Sequence, residues 1–248
     1  MRTLPRYFTI GSRRLNAYKV FLGVGIFAAT LVSAASAERA GLSPLKVGVG
    51  CLVCALAGLA GARAYHLAVA ASKSGSWPSA WDTQRGGLNV FGALLPLAPA
   101  ALIVSWVLAI QPVVFLDHLF AGVLVGGFWI RLGCVFNGCC AGRPTTAWYG
   151  VVLSDTRGAC VRRIPVQFIE MVWWALGGAG ALWLWPASAA PGNLALAVLA
   201  WYGFARFFLE LLREAPDVVL GRVRIDRVVA GVVGAAAGAT LIARTFWS

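Results

Sequence analysis

Residues 130–144 read Ile-Arg-Leu-Gly-Cys-Val-Phe-Asn-Gly-Cys-Cys-Ala-Gly-Arg-Pro and close an apolar run that begins near Val113, which puts Arg131 at membrane depth. A charge there costs roughly 2.5–3.5 kcal/mol on insertion scales, so it faces a bundle interior and marks a substrate or ion pathway. Asn137, three glycines and the adjacent Cys139 and Cys140 follow, where backbone can come close to a ligand. Two further pairs carry usable chemistry. Arg206 and Glu210 are four apart and stand one above the other on a helix face, either as a self-neutralised pair that tolerates burial or as part of a site. Gln167 and Glu170 are three apart and share a face. Glu170 is either a first-turn acid satisfied by the helix dipole or a buried partner for one of the arginines, and the cost of an unpaired charge favours the second reading.

The six cysteines do not form a disulfide framework, since Cys51 and Cys54 sit inside an apolar run and behave as small hydrophobes. Cys134, Cys139 and Cys140 cluster at a membrane boundary. Neither His66 nor His118 has a legible ligand spacing with them, so a packing role is expected and neither a metal nor another cofactor. His66 is the spare imidazole, a structural residue or a possible base.

These residues are positioned by long apolar segments. Mean hydropathy is +0.78 and only 12% of the 248 residues are charged, which excludes a soluble domain. The reading is an all-α integral membrane protein, a single polytopic domain over 1–248 with about seven transmembrane helices at 16–36, 46–72, 87–110, 113–136, 165–185, 194–212 and 228–246. The first, preceded by Arg2, Arg6, Arg13 and Arg14 and ending in Ala35-Ser36-Ala37, also has features of a signal peptide. It is longer than the usual 7–15-residue apolar core, so it is read as a retained span. Trp77 and Trp81 in the loop 73–85 suit the headgroup belt. Between helices 4 and 5, the run Ser154-Asp155-Thr156-Arg157-Gly158 predicts a small structured head with a short hairpin. Pro165 starts the fifth span, and Gly234 to Gly238 gives the seventh a face of small residues for tight packing. A net charge of +12 flanking the spans points to anionic membrane lipid as partner and away from nucleic acid.

The 130–144 stretch resembles the signature of the bacterial prolipoprotein diacylglyceryl transferases, in the branch written Arg-x-Gly-Cys…Gly-Cys-Cys-x-Gly-(Arg/Lys)-Pro-Thr. Further matches run in the family's order: Phe8-Thr9-Ile10-Gly11…Tyr18, Gly61-Ala62-Arg63, Gly86-Gly87-Leu88…Gly92, Pro165-Val166-Gln167…Glu170, and Tyr202 to Glu210. The resemblance implies transfer of a diacylglyceryl group from phosphatidylglycerol to the lipobox cysteine of a lipoprotein precursor, recognised through its signal peptide, in the bacterial plasma (inner) membrane. It implies catalytic roles for Arg131, Arg206 and Glu210, the two guanidinium groups holding the phosphate. It places Tyr18, Asn137, Arg143, Gln167 and Glu170 at the lipid site. It also exposes a departure: Phe91 stands where the family has a histidine proposed as the thiol's base. An arginine cluster lowers a thiol's pKa and so makes a dedicated base dispensable. Alternatives from other classes are a transporter or flippase for an anionic headgroup and a non-catalytic lipid-binding relative. On orientation the charge count and the resemblance disagree. Fourteen Lys and Arg flank one membrane side against Arg39, Lys46 and Arg244 on the other, which puts the Gly-Cys-Cys end in the cytoplasm, whereas the resemblance puts it outside.

Overall fold

A computed structural model describes residues 4–74, 90–155, 158–183, 190–214, 219–220 and 223–246. Seven helices carry the described residues: α1 (Ala17–Arg39), α2 (Pro44–Ser74), α3 (Val90–Val107), α4 (Pro112–Asn137), α5 (Val166–Trp183), α6 (Asn193–Leu212) and α7 (Ile225–Phe246). Five hold stretches long and apolar enough to cross a membrane: Ala17–Arg39, Pro44–Ala68, Pro112–Asn137, Asn193–Leu212 and Asp226–Phe246. At about 1.5 Å per residue, some twenty residues cover a hydrocarbon core of about 30 Å while satisfying every backbone group internally. Large apolar side chains such as Phe27, Leu95, Trp106 and Val232 point outward, as lipid allows. The protein is therefore an all-α membrane protein.

The strands form three antiparallel hairpins: β1 (Tyr7–Ile10) with β2 (Arg13–Asn16), β3 (Val151–Ser154) with β4 (Cys160–Arg163), and β5 (Val219–Leu220) with β6 (Val223–Arg224). The second is the head expected between the fourth and fifth helices, its register running from Val151 opposite Arg163 to Ser154 opposite Cys160. Its turn closes as the Asp155 amide donates to the Ala159 carbonyl at 3.0 Å and the Ala159 amide donates to Asp155 Oδ1 at 2.9 Å.

The chain divides into two compact units, Ser33–Leu119 and the combination of Met1–Val32 with Phe120–Ser248. In the first, α2 and α3 pack together over Gly61 and Gly92, and Val47, Cys51, Cys54, Ala101 and Phe115 form the buried core. Cys51 and Cys54 are thus small core residues, and all six cysteines are free. His118 is buried with its Nδ1 2.9 Å from Ser36 Oγ. His66 lies half-buried on α2. The second unit holds both β1–β2 and the head. Within it α5 and α6 are joined by Trp173 and Trp201, whose rings stack at 4.0 Å while each indole N–H donates to the other's carbonyl, at 3.1 and 3.2 Å. Helices α6 and α7 cross where Gly203 meets Gly234, the first residue of the small-residue face.

Trp77, Trp81 and the Gly86-Gly87-Leu88 motif lie outside the described residues. Phe91 belongs to the first turn of α3, but its side chain is outside the described part of the structure.

Candidate active site

The end of α4, the start of α5 and the end of α6 bring their charged residues to one buried place in the second unit. Glu170 is its hub, with a side chain only 5% exposed. Arg131 Nε approaches Glu170 Oε2 at 2.9 Å, Arg213 Nη2 donates to Oε1 and Oε2 at 3.1 and 3.2 Å, and Arg206 Nη1 stands 3.8 Å from Oε1. A second layer forms around the fully buried Glu210. Arg206 Nη2 lies 3.2 Å from its Oε2 across one helical turn, and Arg213 Nη1 and Arg224 Nη1 each stand 4.0 Å from one of its oxygens. Arg224 also donates to the Glu210 carbonyl. Asp226, from the first turn of α7, reaches Arg206 Nη2 at 3.6 Å.

Four guanidinium groups, those of Arg131, Arg206, Arg213 and Arg224, thus meet three carboxylates, those of Glu170, Glu210 and Asp226. Among these seven described side chains the guanidinium groups outnumber the carboxylates by one. Such an array is stable because each desolvated ion has a close partner, and its surplus favours an anion able to accept from planar guanidinium forks.

The sequence-designated neutral groups converge on the turn that leaves α4. Helix α4 ends at Asn137, and Gly138 follows at φ 72°, the left-handed geometry that stops a helix, with its amide still donating to the Cys134 carbonyl at 2.9 Å. Cys140 also takes a left-handed φ, 58°. The turn folds Cys139 and Cys140 back onto the last turn of α4, and the sulfurs of Cys134, Cys139 and Cys140 all lie within 4.8 Å of one another. The Asn137 side chain hydrogen-bonds Cys139. Gln167, fully buried, donates from Nε2 to the Cys139 carbonyl at 2.9 Å. Donation from the thiols of Cys134 and Cys139, helped by the Arg131 and Arg213 charges, holds the Cys140 thiol well below its ordinary range. Tyr18 packs against Gly133 and is within electrostatic reach of Arg131 and the three cysteines.

Arg143 takes a different place. It is exposed, and it ties the head to the bundle: its Nε donates to the Arg213 carbonyl at 3.2 Å, its amide donates to the Leu212 carbonyl at 2.9 Å, and its carbonyl accepts from the Ile164 amide at 3.0 Å. Arg163, buried under the head, pairs with Asp155 Oδ2 at 3.3 Å and with Glu214, while Arg6 donates to the Asp155 carbonyl. His66, the possible base, belongs to the other unit.

Arg213, Arg224 and Asp226 are members that sequence reasoning missed. Arg213 had a readable signal, because it follows Glu210 by three and Arg206 by seven and so continues their helix face. Asp226 and Arg224 had none, since their partners lie on another helix.

A family model described as prolipoprotein diacylglyceryl transferase matches residues 5–244. The phosphatidylglycerol–prolipoprotein diacylglyceryl transferase of Cutibacterium acnes is 27% identical over 247 residues, covering 95% of this chain and 83% of the relative. That of Frankia alni is 28% identical over 245 residues, covering 95% of this chain and 65% of the relative. The protein of the same name from Wolbachia pipientis is 32% identical over 148 residues, 58% of this chain and 56% of the relative.

Proposed function

The chain belongs to the prolipoprotein diacylglyceryl transferase family, and from that premise we propose how its buried cluster serves the transfer. The protein is a transferase that moves a diacylglyceryl group from phosphatidylglycerol to a prolipoprotein. The acceptor is the lipobox cysteine thiol at the end of a signal peptide, presented at the outer side of the bacterial plasma membrane. Arg131 and Arg206 bind the lipid phosphate, Glu210 orients Arg206, and Glu170 fixes the guanidinium groups relative to one another. Asn137 and Gln167 line the site as neutral hydrogen-bonding groups beside Tyr18, and Arg143 anchors the head that closes over its edge.

The acceptor sulfur attacks the glyceryl carbon, an S–C bond forms, and the C–O bond to phosphate breaks with its electron pair leaving on glycerol phosphate. Negative charge grows on that oxygen. Guanidinium groups already held in place answer it without reorganisation, an effect for which each donor is commonly worth about 10²–10³ in rate. The observation that carries this reading is the convergence of Arg131 and Arg206 on one carboxylate, Glu170, inside an array with surplus positive charge.

The test is incubation of purified protein with phosphatidylglycerol and a lipobox peptide. The expected result is a peptide mass gain of one diacylglyceryl unit. Lipid binding without any gain in mass would make the protein a non-catalytic lipid binder.

A further inference from the structure

The proposed function leaves two features unused: the trio of thiols beside Arg131, and the means by which the acceptor thiol is ionised when position 91 is phenylalanine. Cys134, Cys139 and Cys140 come from a Cys-x4-Cys-Cys spacing that helix geometry alone would not focus on one point. The turn does so by holding Cys140, a residue with a side chain, at φ 58°, a conformation that costs on the order of 1–3 kcal/mol and persists only where its surroundings enforce it. With zinc–sulfur bonds of about 2.3 Å, three thiolates around one zinc ion lie about 4 Å apart, so sulfurs already within 4.8 Å of one another need to draw in by less than about 1 Å.

A second observation points to a ligand at the same turn. Gln167 is fully buried and spends its amide N–H on the Cys139 carbonyl, leaving Oε1 buried with no hydrogen-bond partner among the described residues. An acceptor in that state costs about 1–3 kcal/mol, and it suits a backbone N–H of an acceptor peptide whose cysteine reaches this turn.

We propose that Cys134, Cys139 and Cys140 bind one Zn²⁺ as thiolates, with the fourth position open to the acceptor thiol of the prolipoprotein. The role, though not the site, rests on the transferase reading above. A thiol that coordinates zinc is deprotonated outright, which removes the need for a protein base. The acceptor S–H gives its proton to solvent as its sulfur enters the fourth position. The zinc-held sulfur then forms the S–C bond with the glyceryl carbon while the C–O bond breaks toward glycerol phosphate. No atom changes oxidation state through the metal, because zinc has no redox chemistry, and the thioether product, a neutral ligand, is released.

The test uses the full-length protein purified in detergent. Elemental analysis should find about one zinc per chain. Cys134→Ser, Cys139→Ser and Cys140→Ser should each lose it, and Cys51→Ser and Cys160→Ser should keep it. Since a serine variant can fail by misfolding, the wild-type protein reconstituted with Co²⁺ supplies a second readout. It should show a thiolate-to-cobalt charge-transfer band that changes when a lipobox peptide is added and stays unchanged with the Cys→Ser peptide. A protein that carries copper instead, no metal at all, or zinc that survives in the triple serine variant overturns the site. A cobalt band indifferent to the peptide thiol, or a metal-free protein that transfers at the full rate, overturns the role and leaves the transferase reading standing. A thiol-dependent band with no transfer supports the metal site and overturns the transferase reading.

Discussion

The guanidinium of Arg213 straddles the carboxylate of Glu170, with Nη2 3.1 Å from Oε1 and 3.2 Å from Oε2, and both side chains are almost completely buried. The pair joins the end of α6 to the second turn of α5. It also closes the one carboxylate that Arg131 and Arg206 share, so that three cations converge on a single acid, two of them with Glu210 as a further partner.

Glu170→Gln should therefore be the most damaging single change in the site. Removing one partner from a buried ion pair costs about 3–5 kcal/mol, and here the loss leaves three guanidinium groups facing each other. The expected outcome is a large fall in the thermal midpoint in detergent. Glu170→Gln combined with Arg213→Met should recover part of it. A midpoint unchanged by Glu170→Gln would mean that the carboxylate is not the hub.

Arg131 and Arg206 should separate function from folding. Arg131→Lys keeps a cation near Glu170 but loses the planar fork, so the variant should insert and bind lipid while transfer drops about 100-fold or more. Arg206→Lys should behave alike, and Arg131→Ala and Arg206→Ala should abolish transfer while leaving membrane insertion intact. The readout is the initial rate of peptide mass gain at saturating phosphatidylglycerol. Rates within about threefold of wild type would exclude a role in stabilising the leaving phosphate.

Much of this site could be read from the chain because membrane burial makes charges conspicuous. Arg131 and Arg206 were costly enough at depth to demand partners, and the three- and four-residue spacings named Glu170 and Glu210. What stayed hidden depends on contacts between distant segments. Asp226 meets Arg206 only because α7 folds back along α6, and nothing local to Asp226 announces that contact. The meeting of the three thiols depends on a left-handed backbone at Cys140, a conformation that sequence does not assign to a cysteine. The β1–β2 hairpin was legible in principle. A two-residue Gly11-Ser12 link between paired strands is an ordinary hairpin signal, hidden here by the strong apolar pattern that follows.

Gly142 should tolerate no side chain. A Cβ there would lie 2.1 Å from the Ile164 carbonyl oxygen, in the segment that bridges to Arg213 and ties the head to α6. The Ile164 backbone cannot shift as a flexible side chain could, so Gly142→Ala should lower both the yield of folded protein and the transfer rate, while Gly180→Ala, on α5 with nothing within 4 Å, should affect transfer far less. Equal losses in the two variants would remove the argument from close approach.

Orientation can be decided by reporters. At least four of the fourteen basic residues that weight the Gly-Cys-Cys side have internal partners: Arg162 donates to the Gly150 and Trp148 carbonyls, Arg163 pairs with Asp155 and Glu214, Arg213 with Glu170, and Arg227 lies over the Phe207 ring at 4.4 Å. Charges committed to internal partners are poor topology signals, so the head is expected outside and the C-terminus inside. A phosphatase fused after residue 248 should be inactive, and an inserted tag in the head should be reachable in spheroplasts. The opposite pattern would restore the basic-residue count and place the site in the cytoplasm.

His66 supplies the last expectation. It is the spare imidazole of the chain, half-buried on α2 three residues after Arg63, and a general base must come within hydrogen-bond reach of the thiol it serves. If the acceptor sulfur is ionised by coordination at the cysteine turn, His66→Gln should leave the transfer rate within about threefold of wild type, because no imidazole then takes the proton. Loss of a general base would cost about 10²–10⁴. The deciding measurement is the initial rate of His66→Gln and of Cys140→Ser, side by side, on protein shown to be folded by its thermal midpoint. A collapse of the histidine variant with the cysteine variant intact would make His66 the base and leave the thiol trio a packing feature.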